Sequence, residues 1–140
     1  MEQTAPRIIK MGAERAIIYS MIMDVVRRCD AAYGKYQRRG SSVGATLETY
    51  MIVAAVLIGE MEGRLFTAQK LAHFLGFARG TVQRKLDYLL KVKAVERVNR
   101  SQYRLGETSL QETAHVPGIV NVVHAACAAL SKMDTKEVYA

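Results

Sequence analysis

Apolar positions recur along this chain at helical spacing, and short polar breaks divide them into five helical segments and a hairpin. From Met11 to Ala32, the pairs Ile17/Ile18, Met21/Ile22 and Val25/Val26, followed by Cys29, predict a first helix behind an extended arm over residues 1–10. Tyr33 to Gly44 contains Lys35, Arg38, Arg39 and three glycines, which predicts a loop. Leu47, Tyr50/Met51, Ala54, Leu57/Ile58 and Met61 mark one face of a second helix over 45–62, closed by Gly63. Thr67 is placed to cap a third helix over 68–75, without a full capping box because Lys70 stands where Glu or Gln would sit. Gly76 stops that helix. A fourth runs over 79–93, with Val82, Leu86 and Leu89 facing inward. Two strands follow, over 94–98 and 103–105, with a turn over 99–102. A polar linker over 106–115 leads to Pro117, a favourable first position for a last helix over 117–133. That helix carries Ile119, Val122, Val123, Ala126, Cys127 and Leu130 and is apolar on nearly all sides, so it is expected to bury more than one face.

A chain of 140 residues, half of them hydrophobic, is expected to form one domain with one core. Its expected parts are an arm, helix and loop over 1–44, a central region over 45–105, and a linker and terminal helix over 106–140. The formal net charge is +7, and its distribution is more informative than its size. Residues 64–104 hold ten Lys or Arg against two acids, a net of +8, while the remainder holds ten basic and eleven acidic residues, a net of −1. Charge concentrated in this way is what a phosphate-binding footprint requires.

The charged segment coincides with a helix, a tight turn, a second helix and a basic hairpin, the pattern of a winged helix-turn-helix that sets one helix in the major groove of DNA. Ala72 supplies the small residue where the two helices cross, Gly76 the unusual backbone of the turn, and Leu71, Leu75, Val82 and Leu86 the contacts between the helices. The outward, amino-terminal residues of the second helix are then free to meet DNA: Arg79, Gly80, Thr81, Gln83 and Arg84. Arg suits guanine O6 and N7, and Gln suits adenine N6 and N7. Thr81, Lys85, Gln69 and Lys70 are expected at phosphates. In the wing, Arg97, Asn99, Arg100, Ser101 and Gln102 are expected to touch phosphate or the minor groove.

The run Leu71-Ala72-x-x-Leu75-Gly76-Phe77-x-Arg79-x-Thr81-Val82-x-Arg84-x-Leu86-x-x-Leu89, followed by Val95-Glu96-Arg97, resembles bacterial winged helix-turn-helix transcription regulators. It is most similar to the MarR type and less so to the GntR and IclR types. The similarity covers residues 67–98, about a quarter of the chain. It implies a homodimer joined through its terminal helices on a pseudo-palindromic operator. A regulator that responds to a small-molecule effector or to oxidant is a separate, finer alternative. Three features depart from the pattern. Ala78 stands where a capping Ser is usual, Ala94 stands where Gly usually precedes the wing, and the short wing lacks an Asp-x-Arg motif.

The remaining chemistry is sparse. Cys29 and Cys127 lack metal-ligand spacing and are expected to be buried thiols, although Arg27 and Arg28 beside Cys29 leave redox sensing open. His73 is expected at the surface, and His124 in a core or interface; His115 has no third ligand nearby. No nucleophile–His–acid set, phosphate-cradling glycine loop or carboxylate cluster occurs, so neither an enzyme nor a cofactor is expected. Arg7, Lys10, Glu14 and Arg15 interrupt any early apolar run, and the runs Met51–Gly59 and Val116–Leu130 fall short of the ~20 residues of a membrane span, so a cytoplasmic protein is expected. The sequence thus predicts a mainly α winged helix-turn-helix with a two-stranded wing and flanking dimerisation helices, a transcriptional repressor on double-stranded DNA. The alternative is a winged-helix interaction module in a replication, plasmid or phage assembly.

Overall fold

Helices dominate the computed structural model, which describes residues 4–33, 42–107 and 116–139, and a small antiparallel sheet accompanies them. In chain order the elements are α1 (Thr4–Tyr33), α2 (Val43–Met61), β1 (Phe66–Thr67), α3 (Ala68–Leu75), α4 (Arg79–Lys91), β2 (Val95–Val98), β3 (Gln102–Leu105) and α5 (Ile119–Tyr139). The expected loop over 34–41, the linker over 108–115 and His115 lie outside the described residues. Two compact units emerge. One combines residues up to Arg28 with those from Pro117 onward, and the other runs from Cys29 to Val116. These divisions fall at different places from 44/45 and 105/106.

The second unit is built around α2. Its amino end is capped by Ser42, whose Oγ accepts from the Ala45 amide at 3.2 Å. The face it buries is not the one its apolar periodicity marks. Thr46, Thr49, Ile52, Val53, Ala55, Val56 and Gly59 are buried, while Met51, Ile58 and Met61 are exposed. The two threonines can be buried because their hydroxyls donate to carbonyls one turn back, Thr46 to Ser42 and Thr49 to Ala45. By length and composition α2 could cross a membrane, which the shorter apolar runs did not suggest. Its buried face, however, is spent on contacts with α3, α4 and β3, as in the core helix of a folded unit.

The turn after α3 forms as the sequence predicts. Thr67 Oγ1 accepts from the Lys70 amide at 3.2 Å, and Gly76 takes a left-handed conformation at φ 73°. The Gly76 and Phe77 amides both donate to the Ala72 carbonyl, so the chain reverses within three residues before α4. Leu71, Val82, Leu86 and Leu89 are fully buried between the elements, and Leu75 is half-buried. β2 pairs with β3 from Val95↔Leu105 to Val98↔Gln102. β1 adds a third strand that the sequence reading lacks, with Phe66 opposite Tyr103 and Thr67 opposite Gln102. A two-residue strand is too short to show alternation, and Thr67 doubles as the cap of α3. The Glu60 carboxylate of α2 accepts from the Leu105 amide at 2.8 Å and ties the hairpin to the helical layer.

The first unit is simpler. α1 begins at Thr4, so residues 4–10 are helical rather than an extended arm. Pro6 fits there because the first amides of a helix have no intrahelical acceptor to lose. Arg28 donates to the Pro117 carbonyl at 2.9 Å and pairs with Asp24 at 3.2 Å. Ala16, Ile17, Met21, Val122 and Ala126 line an open groove of about 700 Å³. Of the described residues in this unit only Ala126 is buried, whereas Ile8, Ile9, Met11, Ile18, Tyr19, Ile22, Met23, Val120 and Val123 are exposed large apolar side chains. The expectation that α5 buries several faces is therefore not met within a single chain. Cys127 is exposed on it, contrary to a buried thiol, and His124 is exposed too, so of the core and interface positions expected for it the core one is not met.

Candidate nucleic-acid interface

α4 presents its buried residues Val82, Leu86 and Leu89 to the core and leaves its amino-terminal turn in solvent. Arg79, Gly80 and Arg84 are exposed there, and Thr81 and Gln83 are half-buried beside them. Ala78 occupies the cap position at φ −64°, ψ 138° with no side-chain bond, so the first amides of α4 have no side-chain cap. Gln83 is partly engaged within the helix, its Nε2 donating to Asp87 Oδ1 at 2.9 Å. A methyl group added at Gly80 would meet nothing within 4 Å. Internal packing therefore gives no reason for a glycine in a helical turn, where it costs ~0.5–1 kcal/mol relative to Ala.

Gln69 and Lys70 are exposed at the start of α3, as expected for side chains that would meet a backbone. The hairpin turn comprises Asn99, Arg100 and Ser101, all exposed. Asn99 and Arg100 both adopt left-handed backbone, at φ 51° and 71°. Asn tolerates that conformation, but Arg carries a Cβ penalty there. Arg97 lies over the Tyr103 ring, 5.8 Å from its centroid, which steadies the guanidinium on the hairpin surface. Gln102 belongs to β3 rather than to the turn. It is half-buried and donates to the Leu65 carbonyl at 3.5 Å, so it faces the fold and not the tip.

Lys85 departs furthest from expectation. Its side chain is 18% exposed and its ammonium is turned onto α2, 2.9 Å from the Ala45 carbonyl and 3.2 Å from Thr49 Oγ1, with the Glu48 carboxylate at 3.8 Å. Burial, reinforced by the neighbouring Arg84 charge and opposed by Glu48, lowers its pKa from the ordinary 10.5. An ammonium held in this way is not presented to a phosphate. Nothing in the spacing of α4 separates Lys85 from Arg84; only the position of α2 does.

Ion pairs refine the charge count. Of the ten basic residues over 64–104, Arg64, Lys85 and Arg104 face Glu62, Glu48 and Glu96 within 4 Å. Among the described residues the other seven, Lys70, Arg79, Arg84, Lys91, Lys93, Arg97 and Arg100, have no acidic partner, and four of them lie at the starts of α3 and α4 and at the hairpin tip. The described residues hold no group of three His, Cys, Asp or Glu that could bind a metal ion. Comparison of the chain with family models, curated proteins and solved structures gives no match.

Proposed function

We propose that this chain is a winged helix-turn-helix transcriptional regulator that binds double-stranded DNA sequence-specifically as a homodimer and represses by occupying its site. The observation that carries this is the amino-terminal turn of α4, where Arg79 and Arg84 are exposed without acidic partners around a glycine that packing does not require. A helix inserted amino end first in a major groove needs that combination: bidentate donors for guanine, and a bare backbone where the groove wall comes close. Lys70, Gln69 and Arg100 serve as flanking backbone contacts. The exposed apolar residues of α1 and α5 suit a twofold partner, since Ala126 alone is buried among the described residues of their unit. Two copies then address half-sites about one helical turn, ~34 Å, apart.

Selection of bound fragments from a random DNA pool provides the test, with a palindrome as the expected product. On that site Arg84→Ala costs ~1–3 kcal/mol and relaxes base choice at one position, while Arg100→Ala weakens all sequences about equally. Unchanged affinity in both variants overturns the assignment. The apolar stripe Met51, Ile58 and Met61 on α2 favours a second reading, an interaction module within a larger assembly. Salt separates the two. A dimer on several phosphates loses at least ~10³-fold in affinity between 50 and 200 mM salt, whereas an interaction module has little DNA affinity to lose.

A further inference from the structure

We propose that Lys85 is a positioning residue for the DNA-reading turn of α4, an inference that rests on the function proposed above. α4 is held to the rest of its unit mainly by Val82, Leu86 and Leu89. The hydrophobic drive that buries them is non-directional, and their close packing restrains α4 by shape alone, without a directional bond. The ammonium of Lys85 adds direction, because it donates to two fixed oxygens on neighbouring turns of α2, the Ala45 carbonyl and Thr49 Oγ1. Thr49 is itself fixed by its own bond to Ala45. Among the described residues no other side-chain hydrogen bond joins α4 to α2.

Stability alone is a poor account of the residue, because a largely buried ammonium carries a desolvation cost that its two hydrogen bonds and the Glu48 carboxylate have first to offset. The site is also three residues past Ser42, near the positive end of the α2 dipole, where a cation is disfavoured and only the partly exposed Glu48 compensates. A directional bond kept against these costs is accounted for by what it orients. Arg84 is the adjacent residue on α4, so a rotation of the helix moves its guanidinium across several ångströms of groove.

The test compares wild type, Lys85→Met, Thr49→Val and the double variant on the selected duplex and on a scrambled one, over a range of salt. Amide exchange of α4 without DNA is measured alongside. Lys85→Met is expected to lose about ten-fold on the selected duplex, leave the scrambled duplex and the salt slope unchanged, and speed exchange in α4. Thr49→Val is expected to do the same more weakly, and the double variant to be no worse than Lys85→Met, because both remove one tether. Equal losses on both duplexes with a salt slope reduced by about one make Lys85 a phosphate contact and overturn the proposal. So does an unchanged preference for the selected duplex. If wild type binds no DNA, the functional reading fails on its own account. The tether is then decided by exchange alone, and unchanged α4 protection in Lys85→Met overturns it. Should Lys85→Met not fold, Thr49→Val decides by the same readouts.

Discussion

At the scale of single residues, the decisive facts concern which polar groups are committed inside the fold. Lys85 and Arg84 are adjacent and both cationic, yet one is bound to α2 and the other is free in solvent. Cys29 is a similar case. It is fully buried, and its thiol hydrogen-bonds Tyr50, which meets Tyr33 edge-on at 5.2 Å. Burial raises the Cys29 pKa above the ordinary 9.0, and burial together with the neighbouring thiol raises Tyr50 above 10.0. Both groups therefore bind protons more tightly in the folded chain. Their contribution to stability is intact below pH 9 and is lost as pH rises through the folded pKa values. Lys85 acts in the opposite sense below 10.5. Chemical denaturation across pH 8 to 10.5 is expected to show Cys29→Ala less stable at pH 8 but with a shallower alkaline decline than wild type. Parallel declines would remove Cys29 as a source of the pH dependence.

At the scale of elements, α3 and the start of α4 were legible because their signals are local. A capping threonine, a glycine at positive φ and a three-residue turn depend on nearest neighbours. The uncapped start of α4 was legible for the same reason. Ala78→Ser supplies the missing acceptor and is expected to raise stability by ~0.5–2 kcal/mol, measured as a higher denaturation midpoint at unchanged denaturant slope. The change leaves Arg79 and Arg84 in place, so DNA affinity should hold or improve; no gain in stability would mean that the first turn of α4 is already satisfied in another way. The buried face of α2 was not legible. The helix is apolar almost all round, so its periodicity carries little contrast, and two threonines that read as polar are buried because they bond to their own backbone. β1 leaves no signal in the sequence because two residues hold no pattern, and pairing with β3 is what makes them a strand.

At the scale of the whole molecule, α1 and α5 expose a run of large apolar side chains, and the proposed homodimer would cover them. Light scattering is expected to give about twice the 15.6 kDa chain mass. Ile22→Glu or Val123→Glu, each placing a charge on this exposed surface, is expected to yield monomers and to weaken operator binding more than binding to a single half-site. A monomeric wild type would rule out the twofold arrangement. By itself the sequence determined the helical segments, the turn at Gly76, the hairpin and the concentration of positive charge over 64–104, since each follows from local spacing or composition. The tertiary structure alone decided which face of α2 is core, that Lys85 and Gln102 turn inward, and that Cys29 is buried while Cys127 is exposed. Those outcomes depend on what lies opposite a residue in space, and spacing along a chain carries no record of its neighbours across the fold.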